Sequence, residues 1–245
     1  LQSDDKRYEV TIALGAETDS LDADGAVTDT AKVPAFDAAD VDRALEALIG
    51  RHPQEAPKLS AIKVGGRPLH RRVRSGESVE APVREVELYE ATVEAVGESE
   101  VSLTLHCEKG FYVRSFARDL ARKLGTLGHV KTLRRTASGV FRVEDALYGD
   151  GLTAEAIAER LIPLSEACAG LERVDLSEQG VEHARHGRPI GPEAIHGEDW
   201  RHASDDESLA LFAPNGEPVA LGRRSGEGVR VVRGFRTSEP DVVSS

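Results

Sequence analysis

The chain has 245 residues, 40% hydrophobic and 30% charged, enough apolar material for a buried core and too much for a disordered chain. Its net charge is −12, it has two cysteines (Cys107 and Cys168), and no apolar run is long enough to span a bilayer. A disulfide framework and a membrane-spanning helix are excluded, and a soluble protein of a reducing compartment, the cytoplasm, is expected.

The first apolar pattern lies at 6–15, where Tyr8, Val10, Ile12 and Leu14 alternate with polar residues, predicting a half-buried strand that ends at Gly15. Residues 16–35, with Asp19, Asp22 and Asp24, read as a polar loop. Their spacing approaches that of a calcium loop, but Thr30 and Ala31 stand where the closing Glu belongs, so calcium is excluded. Residues 38–49 predict a helix capped by Asp37 and stopped by Gly50. The stretch 51–82 is broken by Pro53, Pro57, Gly65, Gly66, Pro68 and Gly76, and predicts a long functional loop without regular elements. A strand follows over 84–96, with a bulge near Leu88 where the apolar parity changes, and a second over 101–107. Glu108-Lys109-Gly110 then turns the chain into a short strand at 111–114, and a helix follows at 115–124 up to Gly125.

Residues 1–150 thus form one domain, and 151–170 a helical connector with a helix capped by Thr153 at 153–161. From 171 to 235, apolar runs at 174–176, 209–212, 219–221 and 229–232 between turn residues predict a small all-β module. Residues 236–245 have the composition of a disordered tail.

The acidic average argues against nucleic acid, but the charge is segregated. Residues 58–74 carry Lys58, Lys63, Arg67, Arg71, Arg72 and Arg74 without an acid, and residues 109–135 carry eight basic residues against Asp119 alone. Such a distribution fits either a polyanion partner or two solvated faces. No metal or phosphate-loop motif occurs, and Cys107 alternates with apolar neighbours as a core residue does. In CEKGFYVR, a strand would put Tyr112 and Arg114 on one face. An aromatic ring beside a guanidinium can hold a flat heterocycle and an anion together; an ordinary strand with an outward Arg is the alternative.

Four stretches in this order resemble the TruB family of tRNA pseudouridine synthases: KRYEVTIALGAETDSLDADG, SAIKVGGRPLHRRVRSG, CEKGFYVRSFARDLARKLGTLGHVKTLRRTASGVF and the late β-rich stretch. The resemblance implies an α+β catalytic domain with a mainly antiparallel sheet, followed by a small PUA-like β-barrel that binds RNA. It implies isomerisation of uridine 55 in the tRNA T-loop, with the base flipped out and attacked by an aspartate, and with no cofactor, metal or membrane; a monomer is expected. Tyr8 matches the tyrosine that stacks on the base and is a candidate to assist proton removal from C5. Tyr112 matches a second substrate-contacting tyrosine, Arg114 the arginine paired with the catalytic aspartate, and Leu133 an apolar wall of the base pocket. Lys63 matches a basic residue of the loop that clasps the T-arm, and Lys58, Arg67, Arg71 and Arg134 are expected to meet RNA with it. Leu59 and His70 depart from the family, standing where tyrosines are usual.

The family's nucleophile motif, G-x-L-D-P-x-A-T-G, does not occur here, and the chain starts at Leu1 and contains no Met. The expectation is therefore a missing natural N-terminus, an Arg114 buried without its carboxylate partner, and no turnover by the chain as written. The alternative is a non-catalytic tRNA-binding or RNA-chaperone protein that keeps the clasp.

Overall fold

The computed structural model describes residues 5–75, 77, 79–205 and 207–235, without the side chains of Lys63, Val64, His70, Val73, Arg74 and Asp150. The tail predicted at 236–245 lies outside the described residues. Among them, no helix is long and apolar enough to cross a membrane. The chain divides into two compact units, Leu1–Ala146 and Leu147–Ser245.

In chain order, the first unit holds β1 (Lys6–Leu14), β2 (Ala16–Thr18), β3 (Val27–Thr30), α1 (Ala38–Glu46), β4 (Gly50–Glu55), β5 (Lys63–Val64), β6 (Arg67–Pro68), α2 (Leu69–Arg74), β7 (Val83–Val96), β8 (Glu100–Cys107), α3 (Val113–Lys123), β9 (Gly128–Ser138) and β10 (Phe141–Arg142). Six of the strands form one antiparallel sheet in the order β10-β9-β1-β8-β7-β4. The alternation at 6–15 and 101–107 does what it predicts. Val10, Ile12, Leu14, Val101, Leu103, Leu105 and Cys107 are buried on one face, while Thr11 and Ser102 meet at 3.0 Å on the other. Helices α1 and α3 supply Val41, Leu45, Phe116, Ala117 and Leu120 to the same core. The parity shift in β7 is a bulge between Leu88 and Glu90, as expected, and a second lies between Val93 and Ala95.

Four sequence expectations need correction. Residues 16–35 are not all loop: β2 and β3 form a small hairpin, whose three- and four-residue strands are too short and polar to alternate visibly. Residues 51–82 contain β4 and α2. Pro53 is tolerated inside β4 because that strand is the edge of the sheet, where a missing N–H costs no interior ladder bond. Helix α1 has the expected Asp37 cap, which Asp40 completes as a capping box, but it ends at Glu46, and Gly50 (φ +87°) opens β4 instead of stopping the helix. Residues 111–114 are not a strand, since α3 already begins at Val113.

The second unit holds α4 (Ala154–Arg160), α5 (Leu164–Ala167), β11 (Glu172–Leu176), α6 (Glu178–Arg185), β12 (Ile195–His196), β13 (Leu209–Phe212), β14 (Pro218–Ser225) and β15 (Gly228–Gly234). Thr153 caps α4 through its hydroxyl, which accepts from the Ala156 N–H at 3.1 Å, as expected. The four predicted apolar runs fall in β11, β13, β14 and β15. The unit is not all-β, however: α6 covers its core, and the sheet, ordered β12-β11-β13-β14-β15, is mixed because β11 and β13 are parallel. Among the described residues this sheet is open, with β12 and β15 at its ends, and no closed barrel is formed.

Gly128 shows how tightly α3 sits on the first sheet. A Cβ there would lie 2.7 Å from the Ala121 Cβ and 3.0 Å from the Ala13 carbonyl oxygen. Gly128→Ala should therefore cost about 1–3 kcal/mol by overpacking, read as a lower denaturant midpoint at unchanged slope.

Candidate active site

The predicted site residues come from three elements. Tyr8 is half-buried near the start of β1, on the face that carries Val10 and Ile12. In β9, Arg135 pairs with Tyr8 and Leu133 with Val10, so all four share that face. Leu133 is 46% exposed, because Lys131–Arg135 is an uncovered part of β9: its outer neighbours among the described residues are Asp22, bridged to Val130, and β10 at Ala137 and Ser138. A cleft of about 650 Å³ opens beside Tyr8, lined by Phe111, Phe141, Lys6, Lys109, Arg135 and Arg142.

Burial raises the Tyr8 pKa from its ordinary 10.0, with Cys107 adding to the effect and the positive charge of the Arg135 guanidinium opposing it. Tyr8 is a neutral phenol at working pH, able to stack and to donate, and its conversion to a base is disfavoured by its surroundings. Burial likewise pushes the Cys107 thiol up to about 12, so it is an inert core group.

Tyr112 and Arg114 stand at the head of α3, not on a strand. Tyr112 is the N-cap residue and Arg114 lies in the first turn. The Tyr112 ring packs with Ala56, Ile62 and Leu69, a cluster separate from the one beside Tyr8. Arg114 is not an unpartnered cation. Its Nη1 donates to the Asp22 Oδ2 at 3.1 Å and to the Ser20 carbonyl at 2.9 Å, and its Nη2 donates to the Leu59 carbonyl at 3.1 Å. The sequence had placed Asp22 in a featureless polar loop. The loop is instead an ordered turn between β2 and β3: Ser20 Oγ donates to Asp22 Oδ1 at 2.5 Å, and Thr18 Oγ1 donates to the Asp22 carbonyl at 2.7 Å. Leu21 between them is buried with φ +61°, a left-handed backbone that a leucine adopts at a cost of about 1–3 kcal/mol. The Leu21 carbonyl accepts from the Val130 N–H at 3.0 Å, which seats the turn on β9. The twist directs the Ser20 carbonyl and the Asp22 carboxylate to one guanidinium.

The basic loop is less cationic than its sequence. Glu77 accepts from Arg72 Nε at 2.7 Å and from Arg67 Nη1 at 3.2 Å, just beyond the acid-free window. Arg71 is exposed, and Lys58 lines a small cavity with Leu59 and Arg118. The Lys63 side chain lies outside the described residues. Arg134 faces away from Tyr8, 3.7 Å from the Glu9 carboxylate on the opposite side of the sheet. Sequence reasoning missed Asp22 and Arg135. Arg135 had a legible signal, two residues beyond Leu133 on the same strand face.

The description "TruB family pseudouridylate synthase (N terminal domain)" matches residues 1–113, and "tRNA pseudouridylate synthase B C-terminal domain" matches 114–167. The chain is 37% identical over 190 residues to tRNA pseudouridine synthase B of Psychrobacter cryohalolentis, covering 76% of this chain and 53% of that protein. It is 36% identical over 231 residues to the protein of that name in Xylella fastidiosa, covering 92% and 74%. A solved Cbf5-Nop10-Gar1 complex contains a chain of similar fold, with TM-score 0.67, 20% identity, and coverage of 96% of this chain and 68% of that one.

The raised Tyr8 pKa carries a sign. A group whose folded pKa exceeds its unfolded value stabilises fully below the unfolded pKa, and that contribution is lost as pH rises through the folded value. Thermal stability should thus fall as pH rises past the ordinary tyrosine value of about 10, and Tyr8→Phe should flatten part of that fall; melting curves of both proteins across alkaline pH check this.

Proposed function

The chain belongs to the TruB family of pseudouridylate synthases, and from that membership we propose that it serves the isomerisation of uridine 55 to pseudouridine in the T-loop of tRNA. The observation that carries the reading is the Arg114 guanidinium, held at the head of α3 by acceptors from two separate loops. Arg114 uses three of its five N–H groups on Ser20, Asp22 and Leu59. The remaining donors suit a second carboxylate, the attacking aspartate of the G-x-L-D-P-x-A-T-G motif, which these 245 residues do not contain.

In this reading the target uridine leaves its stack and is received by the sheet face of Tyr8 and Leu133. Tyr8 stacks on the base as a neutral phenol, and Tyr112 contacts it from the head of α3. The aspartate adds to the base or the ribose, the bond from C1′ to N1 breaks, the uracil turns, C1′ bonds to C5, the bond to the aspartate breaks and frees its carboxylate, and the C5 proton is lost while N1 gains one. Arg114 fixes the carboxylate by a bidentate contact while Asp22 balances its charge. Lys58, Lys63, Arg67 and Arg71 clasp the phosphates of the T-arm, with Arg134 on the far side of the sheet. The second unit acts as a PUA-like RNA-binding domain.

Two measurements test this. The 245-residue chain should bind a T-arm stem-loop without forming pseudouridine; conversion would show that the attacking group lies within it, and no binding would refute the RNA clasp. Neutralising Lys58 and Arg71 together should weaken binding and flatten the slope of log affinity against log salt by about one unit per lost phosphate contact. An unchanged slope would remove both from the interface.

A further inference from the structure

Tyr112 is an unusual residue to begin a helix. N-cap positions favour short side chains whose oxygen captures an early N–H, and Tyr112 makes no such bond. The backbone of Tyr112 is instead held from another element. Gln54, only 2% exposed at the end of β4, accepts from the Tyr112 N–H through Oε1 at 2.8 Å, and its Nε2 donates to the Tyr112 carbonyl at 3.2 Å. One amide satisfies a donor and an acceptor of a single residue, which fixes the position and tilt of that residue's backbone.

The same short stretch makes further ties to the head of α3. The Ser115 hydroxyl donates to the Glu55 carbonyl at 2.6 Å, Arg114 donates to the Leu59 carbonyl at 3.1 Å, and the His52 ring meets the edge of Phe111 at 6.2 Å between centroids. Residues 52–59 lead from the sheet into the basic loop. The root of the loop proposed to clasp RNA is therefore stitched to the turn that carries Tyr112 and Arg114.

We propose that Gln54 is a positioning residue: by holding the N–H and the carbonyl of Tyr112 it fixes the backbone of the tyrosine at the helix head, and it joins that tyrosine to the root of the basic loop. The assignment rests on the proposed base-contacting role of Tyr112. Both bonds are to the backbone, so they place residue 112 without engaging its phenol.

The test uses the 245-residue chain and a T-arm stem-loop carrying 5-iodouridine at the target position, irradiated and mapped for cross-links. In Q54E the ionised carboxylate still accepts from the Tyr112 N–H but turns an oxygen toward the Tyr112 carbonyl. The neighbouring charged or titratable groups are His52, Glu55, Arg114 and Arg118. The Tyr112 cross-link, followed across pH, should fall at least about fivefold where the introduced carboxyl is ionised and recover at the lower pH where it is protonated and donates again. Stem-loop affinity should change less than about threefold, because phosphate contacts carry most of it. Gln54→Met, similar in volume but without donor or acceptor, should lose the cross-link at every pH. Melting temperatures are taken for every protein and pH. Undiminished cross-linking in Q54E or Gln54→Met overturns the assignment, and so does a loss that tracks melting temperature alone. Absence of the Tyr112 cross-link in the unmodified chain, with binding intact, overturns the base-contacting role of Tyr112 and this assignment with it.

Discussion

A guanidinium with three protein acceptors organises the first unit. Arg114 lies on a helix, two of its acceptors on the turn between β2 and β3, and the third at the root of the basic loop. The turn and the loop root are both irregular, without a ladder of their own to hold them at these positions. With side chains only about one-quarter exposed, Arg114 and Asp22 attract more strongly than a fully solvated pair, and the two carbonyls add charge-assisted bonds. The turn contributes in return through the strained Leu21, whose burial and bond to Val130 hold the acceptors in place. Removing the guanidinium would release both segments from each other.

The sheet supplies the complementary half. Period-two alternation brings Tyr8, Val10, Leu133 and Arg135 to one face, and α3 is packed against that face by Phe116, Ala117 and Leu120. The helix head and the strand pair are therefore fixed through a common core. Gly128 is part of that arrangement, because its missing side chain lets Ala121 approach the sheet. The phenol of Tyr8 is kept neutral by the same burial that positions it.

Much of this was legible in the residues. Alternation located β1 and β8, a parity change located the bulge in β7, and Asp37 and Thr153 marked two helix starts. What failed had physical causes. A helix beginning at Val113 was masked by a tyrosine at its N-cap, which makes no capping bond and whose backbone is held by Gln54, far away in sequence. The strand at 50–55 was masked by Pro53, which only an edge position allows. Asp22 was dismissed because no local pattern shows that a leucine in a left-handed backbone will aim it at a residue 92 positions further on. The charge of the basic loop was overstated because its neutralising acid, Glu77, lies just past the window counted.

The uncovered stretch of β9 has an effect on colloidal behaviour. Strand backbone without a neighbour is a template on which another polypeptide can extend the sheet. Charged side chains blunt that rim: Lys131 is paired with Glu100 and Arg134 with Glu9, so a strand docking there would have to displace or desolvate both exposed pairs. Added electrolyte loosens those exposed pairs without altering the backbone they guard. Concentrated stocks of the protein should thus keep best at low ionic strength.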